Sequence, residues 1–261
     1  MTGAQRTRLG TPRLHLRRTD STNERARDLA VAGAPSGTLV SAAEQTAGRG
    51  RQGRSWSAPP GSALLASIVL REPPRLLPLI AGVAACEALQ LGGTEALIKW
   101  PNDIVLLRDG QLAKLAGILV EARPQEGWAV LGIGVNVAVA VEQLPAEVRA
   151  RAATLGAERG EIERLLERLL VALERGLRAP AASVLAAWAQ RDALSGREVA
   201  WGSTGGSGEE GRGVAAGIDG EGRLVIALAD GGRTALGAGE VHLLDGGHPP
   251  ARAAARDGGV G

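Results

Sequence analysis

Tyrosine and phenylalanine are absent from this 261-residue chain, and cysteine occurs once, at Cys86. A single cysteine excludes an intramolecular disulfide and any cysteine-built zinc site. Its setting, Ala84-Ala85-Cys86-Glu87-Ala88-Leu89, suits a small buried hydrophobe on a helix. Only three histidines are present, too scattered to suggest a metal site, and one of them, His248, falls in a Gly/Ala/Pro/Arg tail. Five tryptophans are the whole aromatic complement, so the core must rest on Leu, Val, Ile and Ala. A charge excess of one sign is also missing. Thirty Lys and Arg against 28 Asp and Glu leave a net charge of +2, which argues against a strongly basic nucleic-acid surface. The missing Tyr and Phe likewise remove most of the stacking platforms of single-strand binders. The longest strongly apolar run, Ala63 to Leu70, is far too short to span a bilayer, and no leader pattern opens the chain. A soluble, cytoplasmic protein is expected, with no membrane partner.

Hydrophobic residues make up 44%, enough for one large domain and a small one. Met1 to Pro12 reads as a polar lead-in, and Glu24 to Ala32 as a helix in which Ser21 or Thr22 could serve simply as N-caps. Thr38 to Ala42, Ala63 to Leu70, Ala96 to Trp100, Ile104 to Leu107, Gly117 to Glu121 and Trp128 to Val137 read as strands. Asp109-Gly110 supplies a turn between two of them. Leu76 to Leu91, Glu161 to Leu177 and about Ala182 to Leu194 read as helices. The second of these carries Ile162, Leu165, Leu166, Leu169, Leu170 and Leu173 at helical spacing. Strands following one another without helices between them predict an α+β fold with a mixed, largely antiparallel sheet. After Ser195-Gly196, short strands at Glu198 to Trp201, Gly213 to Ile218, Leu224 to Leu228 and Arg233 to Leu236 predict a small β-barrel. The expected division is a catalytic domain over 1–194, a small β domain over 195–245 and a disordered tail over 246–261.

The most informative segment is Gly48-Arg49-Gly50-Arg51-Gln52-Gly53-Arg54-Ser55-Trp56. Alternating arginine and glycine can form neither an apolar helix face nor a strand, so this is a loop. Its backbone can approach a ligand closely, and its guanidinium groups can fork onto oxyanions; a solvated basic turn is the plainer alternative. Gly48, Gly50 and Gly53 also match G-x-G-x-x-G, but a dinucleotide fingerprint needs a following helix, and Arg54 to Pro60 opens none. Three further segments carry polar groups at apolar edges. Lys99-Trp100-Pro101-Asn102-Asp103 puts a lysine at a strand end, where it could equally snorkel to water. Lys114 to Glu121 takes a lysine into a buried strand, and Gly132-Ile133-Gly134-Val135-Asn136 is a strand that glycine opens twice to a planar group.

In this order, together with Thr19-Asp20-Ser21-Thr22-Asn23 and Glu44-Gln45-Thr46-Ala47 before the arginine loop, these segments resemble the biotin protein ligases (biotin–[acetyl-CoA-carboxylase] ligases) over about 120 residues. The resemblance implies a class II aminoacyl-tRNA synthetase-like catalytic domain and an SH3-like C-terminal barrel. It also implies a two-step reaction: biotin and ATP, with Mg²⁺, give biotinoyl-5′-AMP, and a lysine of a biotin carboxyl carrier protein domain then takes the biotin. By the same resemblance Ser21, Thr22, Asn23, Gln45, Gly48, Arg49, Gly50, Arg51, Lys99 and Gly117 serve biotin. Arg49, Arg51, Arg54, Trp56, Lys99, Asn102, Lys114 and Asn136 serve the nucleotide, Asn136 at the adenine and Trp56 beside it. Lys99 is the expected main electrostatic catalyst, with Arg51 in the loop folding over the adenylate; no protein metal site is implied. Position 52 is Gln where many members carry another arginine. Only 18 residues precede Thr19, too few for a winged-helix domain of roughly 60 residues, so a short form without repressor or DNA-binding activity is expected. The resemblance leaves monomer or homodimer open. The lipoate and octanoate ligases are the nearest rivals, but their Arg-Arg, Gly-Gly-Gly and His-Asp pattern is not found.

Overall fold

The computed structural model describes residues 8–244 apart from 91, 109, 145, 203–209 and 238. The expected tail at 246–261 and most of the stretch from Gly202 to Gly211 therefore lie outside the described residues. Seven strands form the main sheet: β1 (Arg13–Leu16), β2 (Leu39–Ala42), β3 (Ala63–Arg71), β4 (Leu97–Lys99), β5 (Asp103–Arg108), β6 (Gln111–Arg123) and β7 (Trp128–Asn136). Their order across the sheet is β1-β2-β3-β7-β6-β5-β4. Only the β1–β2 pair runs parallel, and every other neighbour in this sheet is antiparallel. The mixed, largely antiparallel sheet is thus as expected from the strand spacing.

β3 and β7 are buried along nearly their whole length, which is why they read as almost unbroken apolar runs. Helix α2 (Leu77–Gln90) follows β3, and a short α3 (Ala146–Arg149), α4 (Glu161–Arg178) and α5 (Ala181–Ala189) come in succession after β7. Leu64, Ile68, Leu131 and Ile133 share one core with Leu165, Leu166, Leu169 and Leu173 of α4. Acidic Glu161 and Glu163 open α4 and Arg175 and Arg178 close it, the polarity its dipole favours. Cys86 is buried in α2, and desolvation pushes its thiol up to about 12, so it acts as a small hydrophobe. On the opposite face α1 (Thr22–Val31) lays Ala26 and Ala30 on Val40, Val69 and Val130. That helix covers only part of its face. A cavity occupies the rest.

The second sheet contains β8 (Glu198–Gly202), β9 (Gly211–Ile218), β10 (Leu224–Ala227), β11 (Arg233–Leu236) and β12 (Glu240–Leu243), all antiparallel, in the order β11-β10-β9-β8-β12. Val199, Ala215, Leu224, Ile226 and Val241 join the main core rather than forming a separate one. The indole of Trp100 also ties the two sheets together, its Nε1 donating to the Gly222 carbonyl at 3.1 Å. Trp100→Phe is expected to cost about 1 kcal/mol through that single bond, read as a lowered urea midpoint at unchanged slope.

Five elements differ from the sequence expectations. The described end of the lead-in is packed: Leu9 is buried and its N–H donates to Glu174 Oε1 at 2.8 Å. Neither β1 nor β12 was anticipated, because both are short and gain their partners from distant residues. The strand expected at Gly117 to Glu121 begins at Gln111, so Lys114 lies inside it. The last helix stops at Ala189 instead of Leu194, because the chain then pairs with β4: Ile98 donates to the Arg191 carbonyl and Ala193 to the Ile98 carbonyl.

Asp192 sits in that connector. Burial raises its carboxyl to about 6, only partly offset by the N–H of Leu194, and Oδ2 has no hydrogen-bond partner among the described residues. A folded value above the unfolded one means the native state holds the proton more tightly. That stabilisation is fully present below about pH 4 and is lost as pH rises through about 6. Asp192→Asn is therefore expected to gain stability relative to the parent between about pH 4 and 7, measured as the difference in thermal midpoints across that range.

Candidate active site

The face of the sheet beside α1 is floored by alternate residues of neighbouring strands. Leu65 pairs with Gly134, Ser67 with Gly132, and Gly117 with Gly134. A side chain at either β7 glycine would fill the site. A Cβ on Gly132 would lie 2.0 Å from Asn23 Oδ1, and one on Gly134 would lie 2.7 Å from the Trp56 ring. The glycine-opened strand therefore does what its sequence suggested: it lets a planar ring and an amide reach the sheet surface.

One end of the resulting cavity is polar and buried. Ser21 holds the N-cap position of α1, yet its side chain does not cap the helix. Thr22 instead donates from N–H and Oγ1 to Gln45 Oε1, at 2.7 and 2.9 Å. Ser67 Oγ lies 2.6 Å from Asn23 Oδ1, to which it donates, and 2.8 Å from Thr22 Oγ1. Asn23 in turn donates to Glu121 Oε2 at 2.7 Å. These groups form a fixed array of short donors and acceptors, which is what a buried polar ligand head requires.

The other end is cationic. Lys114 Nζ stands 2.6 Å from Asp103 Oδ1 and 5.7 Å from the centre of the Trp56 ring. Gly117 makes room for both neighbours, since a Cβ there would lie 3.1 Å from Trp56 Cζ3 and 3.4 Å from Lys114 Nζ. The Trp56 Nε1 is buried without a hydrogen-bond partner among the described residues. Arg49, Gly50, Arg51 and Arg54 close the cavity from above. The arginine loop is ordered as a narrow ribbon: Trp56 N–H donates to Gly48 O at 2.8 Å and Gly50 N–H to Arg54 O at 2.6 Å. Gly48 cannot carry a side chain, because a Cβ would lie 2.4 Å from the Trp56 carbonyl oxygen. Arg51 reaches Asn102 Oδ1 at 3.3 Å, and Asn102 donates to the Ile118 carbonyl at 2.8 Å.

The cavity wall carries Arg49, Arg51, Arg54 and Lys114 against the single carboxylate of Asp103. That excess makes it a site for anions. Ser21, Thr22, Asn23, Gln45, Arg49, Gly50, Arg51, Arg54, Trp56, Asn102, Lys114 and Gly117 all line it. Gly48 lines the adjoining groove under the loop. Two expected residues are placed elsewhere. Among the described residues, Lys99 lies outside the cavity lining and so does Asn136, whose amide donates to the Ala153 carbonyl at 2.9 Å. Lys99 ends β4 opposite Asp103, whereas the hairpin of β5 and β6 brings Lys114 onto the same aspartate. Sequence reasoning also missed Asp103, Leu65 and Ser67. A lone serine inside Ala63-Leu64-Leu65-Ala66-Ser67-Ile68-Val69 was the available signal.

Comparison with known proteins agrees with this arrangement. A sequence profile of the Biotin/lipoate A/B protein ligase family matches residues 15–137. The chain is 36% identical over 170 residues to the bifunctional ligase/repressor BirA of Bacillus spizizenii, covering 60% of this chain and 51% of that protein. It thus spans about half the length of such relatives. It is 35% identical over 242 residues to the biotin–[acetyl-CoA-carboxylase] ligase of Mycobacterium tuberculosis, covering 86% of each. The biotin protein ligase of Aquifex aeolicus, solved in complex with biotin and ATP, superposes with a TM-score of 0.72 at 28% identity, over 88% of this chain and 97% of that one. The cavity, its glycine floor and its arginine cover lie within or beside the matched segment, and the chain belongs to the biotin protein ligase family.

Proposed function

We propose that the protein is an ATP-dependent biotin–[biotin carboxyl carrier protein] ligase that forms biotinoyl-5′-AMP and passes biotin to a carrier lysine. The observation that carries the reading is the two-ended cavity, with neutral hydrogen-bonding groups at one end and Lys114 beneath three arginines at the other. The urea of biotin has two donors and one strong acceptor, a match for Ser21, Thr22, Asn23 and Gln45. Its apolar chain would run over Leu65 and the β7 glycines toward Lys114. There the carboxylate oxygen attacks the α-phosphorus of ATP, the bond to the β-phosphate oxygen breaks, and pyrophosphate leaves. In the second step the carrier amine attacks the carbonyl carbon, the bond to the phosphate oxygen breaks, and AMP leaves as the amine loses a proton.

Neither step needs a covalent enzyme intermediate. The protein brings two anions together, stabilises charge at phosphorus and keeps water from the anhydride. Lys114, fixed between Asp103 and the Trp56 ring, takes the role of main electrostatic group that the sequence suggested for Lys99. Arg51 and Arg54 cover the phosphate, Asn102 positions Arg51, and Trp56 walls the nucleotide side. Mg²⁺ would enter on the triphosphate oxygens, and Asp103 is the carboxylate on the cavity wall nearest that chemistry. Adenine recognition by Asn136 stays part of the proposal, its amide being turned toward Ala153.

For the carrier, β5 pairs with Gln111 to Gly117 of β6, so the stretch from Leu119 to Arg123 offers a sheet edge beside the arginine loop. We further read residues 1–194 as a class II synthetase-like catalytic unit and 195–245 as an SH3-like barrel, supported by the register break in β9–β10. A cytoplasmic monomer or homodimer without DNA binding completes the reading. Among the described residues no helix is long and apolar enough to cross a membrane. The experiment is pyrophosphate release from ATP and Mg²⁺ with biotin, lipoate or octanoate as the acid. Biotin-dependent release supports the assignment; release with lipoate or octanoate alone moves the chain to the sister ligases.

A further inference from the structure

Nothing in the adenylation chemistry uses Glu24. Its side chain is only 17% exposed in the first turn of α1, where Arg49 Nη2 pairs with its Oε2 at 2.9 Å and Arg27 holds its other oxygen. Glu24 itself is outside the cavity lining, and Arg49 links it to the cavity wall. Arg49 is bridged to Ser55 across the arginine ribbon, and Gly50 is bonded to Arg54. Tying down Arg49 therefore ties down the segment that carries Arg51 and Arg54. Two of the ribbon's ties run through Arg49 to the helix bearing Thr22 and Asn23, and through Arg51 to Asn102 on the far side.

We propose that Glu24 is a positioning residue that anchors the arginine loop to α1 through Arg49, so that the polar end of the cavity and its cover move as one body and the acyl-adenylate is released slowly. Arg49 then acts chiefly as a fastening, and the phosphate contacts fall to Arg51 and Arg54. The inference rests on the adenylation reading for its consequence, but not for its geometry.

The test is a double-mutant cycle on the intact protein, Glu24→Gln, Arg49→Gln and the pair, with two readouts. The first is amide hydrogen exchange of residues 48–55 without substrates, with the α4 amides as a control for global unfolding. Each single change is expected to speed loop exchange, and the pair no more than Arg49→Gln alone, because both remove one interaction. The second is the release rate of adenylate formed from biotin and ATP. Glu24→Gln is expected to raise it about two- to fivefold, the size of a partly exposed ion pair. Unchanged loop exchange in Glu24→Gln, or effects that multiply in the pair, overturns the anchor. Absence of adenylate in the parent protein overturns the adenylation reading instead, and the exchange cycle still decides the anchor.

Discussion

Replacing Lys114 with alanine is expected to slow biotin-dependent adenylate formation on the order of 10²–10³-fold, the loss that follows removal of one preorganised charge donor, or about 3–4 kcal/mol of barrier. The ammonium stands 2.6 Å from Asp103 and over the face of Trp56, two contacts that fix its position before substrate arrives. It also lies on the cavity wall, where the proposed reaction brings the carboxylate and the α-phosphate together. Single-turnover pyrophosphate release at saturating biotin isolates the step. Lys99→Ala is expected to cost far less in the same assay, since Lys99 lies outside the lining. A reversed order, with Lys99→Ala the slower enzyme, would return the catalytic role to the residue that the sequence alone suggested. Near-parental rates in both variants would remove the electrostatic account.

Gly132→Ala should be nearly as damaging, by a different route. The added methyl carbon would lie 2.0 Å from Asn23 Oδ1 and 2.8 Å from Asn23 Cγ. Asn23 cannot swing away cheaply, because Ser67 donates to its oxygen and its nitrogen donates to Glu121. The strand cannot retreat either, being paired with β3 at Ser67 and with β6 at Leu119. Overpacking of this kind costs roughly 1–3 kcal/mol, and displacing Asn23 also breaks the polar end of the site. Calorimetry should show a lowered thermal midpoint and biotin affinity weakened on the order of a hundredfold, about 2.7 kcal/mol. Normal biotin binding by a folded Gly132→Ala protein would mean that Asn23 is not a ligand.

Much of this site was legible because its residues break local rules. Glycines at 132 and 134 weaken a strand that is otherwise apolar, and the structure spends them on Asn23 and Trp56. Arginines alternating with glycine at 49, 51 and 54 suit neither helix nor strand, and they became the cover. The interior strands and α4 were equally readable, since burial on both faces or on one stripe leaves a periodic trace. The approach of Lys114 to Asp103 was not readable. Lys99 and Lys114 both adjoin strands, and only the hairpin of β5 and β6, with its register shift between Ile104 and Val105, brings Lys114 back onto Asp103. The strand β1 was hidden for a related reason. Arg13-Leu14-His15-Leu16 has little β character of its own and is held by parallel pairing with Leu39 to Ala42. Contacts between residues far apart in the chain leave no local pattern.

On the proposed reading this cavity makes biotinoyl-5′-AMP and retains it under the arginine loop. Its most direct test is non-denaturing mass spectrometry of the protein after incubation with biotin, ATP and Mg²⁺ and removal of free ligand by gel filtration. The account predicts a complex carrying the mass of one biotinoyl-AMP, discharged on adding a biotin carboxyl carrier domain and absent when Lys114 is alanine. A well-folded protein that binds biotin and ATP separately, yet carries no adduct and labels no carrier, would contradict it.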